Sequence, residues 1–242
     1  MKKLKKYSLI LLLLILWQSL TFFTIIPDFL LPSPYQVIKA FIEDFNLIIY
    51  HTKYTLIIAF IGVFIGIIIS FLLSLIMDMN KNIYDIVYPV IIITQTIPTV
   101  AIAPLLIIWL GYYMKPKILL VVLTSFFPIV ISLLDGYNSV DEDSIKLLKA
   151  MGANKYQMYR HLKIPASLGY FFAGLRVCVS YSLISAVVAE WLGGFYGLGV
   201  YMTRVRKAYA LDKMFAVIFF ISFLSLMLMT TVDIIQKKII KY

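Results

Sequence analysis

Few side chains in this sequence could carry covalent chemistry. The two histidines, His51 and His161, are far apart and stand in no metal-ligand spacing. Cys178 is the single cysteine and lies in an apolar run, so the sequence predicts neither a disulfide framework nor a thiolate metal site. A Gly-rich phosphate loop of the Walker A type is absent from the sequence. We therefore expect no catalytic residue, no metal, no cofactor and no ATP binding through a Walker A motif.

Recognition is the chemistry that the polar residues could perform, and most of them lie in residues 139–165, here called the polar loop. Ser139 and Glu142 fit a capping box that begins a helix, and Gly152 offers the left-handed residue that ends one. A second helix is predicted over residues 153–163, ending before Pro165 because the residue ahead of proline avoids the α region.

The first helix of the polar loop carries an apolar stripe beside a basic rim. The stripe is Ile145, Leu147, Leu148 and Met151, and the rim is Lys146, Lys149, Lys155, Arg160 and Lys163. This pattern favours docking of a soluble partner. A solvated interfacial loop without a partner is the alternative, since amphipathic helices beside membranes are common.

A second group of polar residues interrupts the uncharged run of residues 86–114. The group is Thr94, Gln95, Thr96 and Thr99, and it stands among Pro89, Pro98 and Pro104. Polar and helix-breaking residues at membrane depth are tolerated where they face protein or a water-filled cavity. On one continuous helix, Gln95 and Thr99 would share a face. The run predicts the lining of a translocation path; a kinked structural helix is the alternative.

The run of residues 165–189 is also unusually polar in its middle. Ser180, Ser182 and Ser185 lie there and are further candidates for the path. Glu190 follows at the outer end, where an acid could serve the path or cap the interface.

The composition of the chain predicts the class of fold that positions these polar residues. Hydrophobic residues make up 62% of the 242 residues and charged residues only 14%, so the chain is expected to be an all-α polytopic membrane protein. The net charge of +10 could suggest nucleic acid, but the basic residues cluster at span ends, and the membrane explains this pattern better. Six spans are predicted in one domain covering residues 1–242: 7–26, 54–77, 86–110, 118–134, 166–190 and 214–234.

The distribution of basic residues predicts the orientation. With both termini inside, 14 of the 22 Lys and Arg residues lie inward and 8 outward. The positive-inside rule therefore favours cytoplasmic termini and a cytoplasmic polar loop in the plasma membrane.

Several motifs resemble the permease subunits of binding-protein-dependent ABC importers. The polar loop keeps the Gly of their cytoplasmic coupling loop and, after the family's interval, Leu162, Ile164 and Pro165, whereas Lys146, Leu147 and Leu148 stand where Glu-Ala-Ala is expected. The resemblance extends over about residues 31–240, including 31–34 (LPSP), 95–111, 174–176 (GLR), 189–194 (AEWLGG) and 197–199 (GLG). It is strongest to the nitrate, sulfonate, taurine and thiamine-precursor permease group.

This resemblance implies a type I importer fold, with a coupling helix between the fourth and fifth spans. The implied partners are ATP-binding cassette ATPase subunits, an extracytoplasmic solute-binding protein, a second permease copy and membrane lipid, but no nucleic acid. The residues implied in ATPase coupling are Lys146, Leu147, Leu148, Met151, Gly152, Ala153, Leu162 and Pro165.

Two other functions stay open at this point. A secondary carrier would need ionisable groups at membrane depth for ion coupling, and only Arg176 and Glu190 qualify, both near span ends. A non-transporting scaffold would not need a proline-broken polar span. The solute is expected to be a thiamine pyrimidine precursor or a sulfonate- or nitrate-type solute.

Overall fold

The computed structural model describes residues 2–23, 26–27 and 29–240, and within them every regular element is a helix. The helices are α1 (Lys2–Phe22), α2 (Pro34–Glu43), α3 (Phe45–Met79), α4 (Lys81–Thr96), α5 (Thr99–Leu110), α6 (Met114–Asn138), α7 (Glu142–Ala150), α8 (Lys155–Met158), α9 (Ile164–Trp191), α10 (Leu198–Lys207) and α11 (Leu211–Ile239). A π turn, Tyr159–Lys163, joins α8 to α9.

Among the described residues, four helical segments are long and apolar enough to cross a membrane: α3, α6, the continuous segment Lys155–Trp191 and α11. The bent pair α4–α5 makes a fifth if it is one span. The first predicted span corresponds to α1, whose apolar part, Leu11–Phe22, is shorter; residues 24 and 25 of that prediction lie outside the described residues. The all-helical polytopic fold is thus confirmed, whereas the count of six spans is not.

Side-chain contacts fix how α3 and α9 run past each other. Thr55, near the start of α3, bonds to Glu190 at the end of α9. Asp78, near the end of α3, pairs with Lys163 just before α9. The two helices are therefore antiparallel, and the bundle has a polar-loop end and an opposite end.

Small residues bring the long helices close together. A Cβ at Gly62 of α3 would lie 2.5 Å from the side chain of Val121 in α6. Ser70 of α3 donates a hydrogen bond to the carbonyl oxygen of Phe126 at 2.9 Å. Gly174 of α9 has as little room, since a Cβ there would lie 2.8 Å from the carbonyl oxygen of Pro128. Such faces let helix backbones approach in lipid, where close packing replaces the hydrophobic effect as the driving force.

The proline-rich third span is not one continuous helix. It bends by 97° between α4 and α5. Pro98 has no N–H to donate, and Ile97 ahead of it is extended, with φ −83° and ψ 120°. The expectation that Gln95 and Thr99 share one helical face is therefore wrong, because the break separates them.

The polar loop also differs from its prediction at both ends. Asp141, not Ser139, caps α7, and the Ser139 hydroxyl instead donates to the carbonyl oxygen of Gly136. The second helix does not end before Pro165 but continues through the π turn into α9. A proline ring crowds the carbonyl one turn earlier, and the wider π turn relieves such crowding.

Candidate coupling loop and translocation cleft

Local hydrogen bonds give the polar loop a defined shape. The carboxylate of Asp141 accepts a hydrogen bond from the Ser144 backbone N–H at 2.9 Å, and this bond lowers the pKa of Asp141. Gly152 ends α7 in the left-handed region, at φ +82°. Asn154 then caps α8 through a capping box with Gln157. The predicted helix-Gly-helix unit is present in the structure.

Large apolar side chains of the polar loop are exposed. Leu147 is 63% exposed, Met151 74% and Tyr156 67%. Lys146 is exposed beside them and pairs with Glu142 and Asp143 of its own helix. The remaining residues of the predicted coupling set are exposed or half-buried: Leu148, Gly152, Ala153, Leu162 and Pro165. Exposed apolar groups on an otherwise polar loop mark a surface that a partner would cover.

A cleft of about 450 Å³ opens where α4, α6 and α9 meet. Gln95 and Tyr181 both line it, and Tyr181 is 53% exposed. The lining is Gln95, Thr124, Phe127, Pro128, Ile131, Ser132, Gly174, Val177 and Tyr181. The cleft therefore combines an amide, hydroxyl groups and aromatic rings, and its lining carries no formal charge.

The other polar residues of the third span do not line this cleft. The hydroxyls of Thr94 and Thr96 donate to the carbonyl oxygens of Ile91 and Ile93 in their own helix. Thr99 is the first residue of α5 and is half-buried. Of this predicted group the structure brings only Gln95 to the cleft, and a path role for the three threonines stays a prediction.

The serines of α9 are turned mostly into the bundle. Ser182 and Ser185 are buried, and the Ser182 hydroxyl donates to the carbonyl oxygen of Val179. Ser180 is half-buried and donates to the carbonyl oxygen of Arg176. Their part in the path also stays a prediction.

Glu190 lies in a buried polar cluster at the opposite end of the bundle. It is 1% exposed, and its carboxylate accepts hydrogen bonds from the Thr55 hydroxyl at 2.9 Å and the Gly199 N–H at 2.8 Å. The Thr55 oxygen in turn accepts the Leu198 N–H, and His51 Nδ1 accepts the Gly197 N–H. The side chains of His51, Thr55 and Glu190 thus accept hydrogen bonds from the N–H groups at the start of α10. The N-terminal end of a helix also favours a negative charge such as that of Glu190.

A second polar contact holds α10 and α11 in place. The carboxylate of Asp44 accepts hydrogen bonds from the Tyr201 hydroxyl at 2.6 Å and from Lys213 at 2.9 Å. Burial alone would raise the pKa of Asp44, but these two partners together hold it below its usual value.

The sequence analysis missed several residues of the cleft and of the Glu190 cluster. Thr124 and Ser132 belong to the cleft, and Thr55 and His51 belong to the Glu190 cluster. The signal that could have found them is a polar residue inside an apolar run, since such groups in a membrane face the bundle or a cavity.

Comparison with known proteins identifies the family. Residues 62–241 match the family described as binding-protein-dependent transport system inner membrane component. The formylaminopyrimidine transport permease protein ThiX of Halalkalibacterium halodurans is 34% identical over 90% of this chain and 87% of its own. The riboflavin transport system permease protein RibX of Chloroflexus aurantiacus is 33% identical over 96% of this chain and 88% of its own.

A solved structure supports the same architecture. The inward-facing MetNI methionine ABC transporter has a chain that aligns with a TM-score of 0.73, over 81% of this chain and 98% of that chain. Its identity of 17% shows a shared fold. The match of the family over most of the chain shows more: this protein belongs to the binding-protein-dependent inner membrane components, the multi-pass permease subunits of ABC importers.

Proposed function

We propose that this chain forms the translocation path of an ATP-driven importer for a small, neutral heteroaromatic solute of the aminopyrimidine type. The observation that carries the proposal is the polar loop, whose exposed Leu147, Met151 and Tyr156 stand on a helix-Gly-helix unit at one end of the bundle. A membrane-embedded bundle needs no such apolar surface unless a partner covers it.

The partner on the polar loop is a separate ATPase subunit. Family membership supports this assignment, as does the lack of a Walker A motif in the sequence. The polar loop and both termini then lie in the cytoplasm, in agreement with the excess of Lys and Arg on that side. The external solute-binding protein delivers the solute to the opposite end.

A second copy of the chain completes the path. In the single chain the cleft is open on one side, and residues 94–98 beside it are exposed. Polar groups at membrane depth need protein or water around them rather than lipid. A second permease copy facing the cleft supplies that wall, and lipid surrounds the pair.

The lining of the cleft bears on the solute. Gln95 offers a donor and an acceptor to a ring amide or amine, while Tyr181 and Phe127 offer faces for stacking. A sulfonate or nitrate ion would gain more from a cationic partner, which the lining lacks. The 34% identity to a formylaminopyrimidine permease points to the same class of solute.

Uptake measurements test the solute assignment. Proteoliposomes that contain the permease, its ATPase and its binding protein are offered labelled formylaminopyrimidine, riboflavin or taurine in separate samples. We expect ATP-dependent uptake of the formylaminopyrimidine and little of the other two. Preferential uptake of taurine would contradict a neutral heteroaromatic solute while leaving the importer assignment standing.

A further inference from the structure

A buried ion pair ties α3 to the last part of the polar loop. The carboxylate oxygen Oδ2 of Asp78 accepts hydrogen bonds from the Tyr159 hydroxyl and, at 2.7 Å, from Lys163 Nζ. The side chain of Asp78 is 8% exposed and that of Lys163 15%. One oxygen atom near the end of α3 therefore holds two residues of the connection between α8 and α9.

The two bonded residues are the first and last of the π turn. The Ile164 N–H bonds to the carbonyl oxygen of Tyr159, which gives the turn its width. Lys163 Nζ also lies 5.3 Å from the centre of the Tyr159 ring. Single π turns inside helices are frequent at functional sites, and this one lies at the end of the polar loop, between α8 and the long apolar helix α9.

The same two long helices are also joined at the opposite end of the bundle. Thr55 of α3 bonds there to Glu190 of α9. Because both ends are bonded through buried groups, α3 and α9 form a pair that resists sliding or separation.

The Asp78 contact differs from the other ion pair of α9. Arg176 pairs with Asp233 of α11, but those side chains are 36% and 45% exposed. Exposed pairs contribute little, whereas losing one partner of a buried pair leaves an uncompensated charge. Asp233 therefore provides a matched control for Asp78: the same residue type, paired with a cation on the same segment.

We propose that Asp78 is a positioning residue that couples the polar loop to α3, so that a displacement of α7 and α8 moves α3 and α9 as one body. The inference rests on the proposed docking of an ATPase on the polar loop. It adds a role for Asp78, Tyr159 and Lys163: Lys163, which the sequence places in the basic rim, has a side chain that is only 15% exposed and pairs with Asp78.

Distances between spin labels test this coupling in the full complex with its ATPase. With Cys178 replaced by serine, cysteines at the exposed positions Lys53 in α3 and Lys155 in α8 carry the labels. The distance is compared between the nucleotide-free state and the state trapped with ATP and vanadate. For one rigid body we expect a shift within about 1 Å. In the Asp78→Asn protein we expect a shift above about 2 Å or a broadened distribution.

The controls separate coupling from folding and from docking. Asp78→Glu should restore the narrow distance, and Asp233→Asn should match the unaltered protein. Tyr159→Phe, which removes one hydrogen bond and keeps the charges, should give an intermediate broadening even if Asp78→Asn fails to fold. A distance in Tyr159→Phe or Asp78→Asn that stays as narrow as in the unaltered protein would overturn the inference, as would a trapped-state shift above about 2 Å in the unaltered protein. Co-purification of the ATPase reports separately on the docking itself, and its absence in the unaltered protein would overturn both proposals.

Discussion

Gly152 is the residue whose backbone the polar loop depends on most directly. Its φ is +82°, and a Cβ there would meet nothing within 4 Å, so the whole cost of a side chain is conformational. The left-handed region costs a residue with a Cβ about 1–2 kcal/mol, and more for a β-branched one. We expect Gly152→Val to insert into the membrane normally but to lose most of the transport-coupled ATP hydrolysis.

Gly169 supplies the control for this substitution. It lies in α9, also with open space for a Cβ but without a positive φ. Gly169→Val should keep its coupling. Normal uptake by a well-expressed Gly152→Val protein would show that the bend between α7 and α8 is not required for docking.

Gln95 and Tyr181 test whether the cleft is a water-accessible path. With Cys178 replaced by serine, cysteines at positions 95 and 181 should react several-fold faster with a small charged thiol reagent than a cysteine at Ile93. Ile93 is 60% exposed and does not line the cleft, and a cysteine that faces lipid forms little of the reactive thiolate. The rates at 95 and 181 should also change when ATP and vanadate are added. Equal, nucleotide-independent rates at all three positions would exclude this cleft as the path.

At the scale of the element, α7 should bind the ATPase through its exposed apolar face. Leu147→Glu and Met151→Glu each place a charge on that face, so each should weaken ATPase binding by about 2 kcal/mol, or about 30-fold in Kd. Asp143→Asn, an exposed change on the same helix outside both the apolar stripe and the basic rim, should have a much smaller effect. Quantitative co-purification measures all three, and unchanged binding in both Glu variants would place the ATPase elsewhere.

The start of α10 should depend on Glu190 for stability. Glu190→Ala leaves the Gly199 N–H without its buried acceptor and leaves the Thr55 hydroxyl only the longer bond to the His51 carbonyl oxygen, and a lost buried acceptor costs about 1–3 kcal/mol. We expect a lower Tm in detergent, whereas Glu43→Ala, which removes an exposed partner of Lys39, should leave it nearly unchanged. An unaltered Tm together with altered solute selectivity would instead assign Glu190 to the path.

The elements show where sequence reasoning succeeds and where it stops. Hydrophobic runs predict the long helices, and Gly152 predicts the bend of the polar loop, because both signals are local. The break at Pro98 and the continuation through Pro165 could not be told apart in this way: both are prolines that follow an isoleucine at the border of an apolar run. Tertiary packing decides between a sharp bend and a widened turn.

Long-range polar pairs are the second limit of the sequence. Asp78 and Lys163 each look like ordinary charges at the end of a span, and Thr55 looks like one polar residue in an apolar run. Asp78 and Lys163, which pair with each other, are 85 positions apart along the chain, and Thr55 is 135 positions from its partner Glu190. Nothing in the local spacing predicts these contacts, although they join α3 to α9 at both ends.

At the scale of the whole molecule, the proposed docking surface and the proposed translocation path lie in different parts of the bundle. The polar loop offers its apolar surface at one end, the uncharged cleft opens between α4, α6 and α9, and the Glu190 cluster closes the packing at the opposite end. This arrangement suits a subunit that is moved by a partner, since the chain contains no phosphate-binding loop of its own.

Uptake against a solute gradient tests this account most directly. Proteoliposomes with the permease, the ATPase and the binding protein should accumulate labelled formylaminopyrimidine only when ATP is present on the ATPase side, and vanadate should abolish the uptake. Proteoliposomes with the permease alone should not accumulate it under an imposed proton or sodium gradient. Accumulation by the permease alone, driven by an ion gradient and insensitive to vanadate, would contradict the account and identify a secondary carrier.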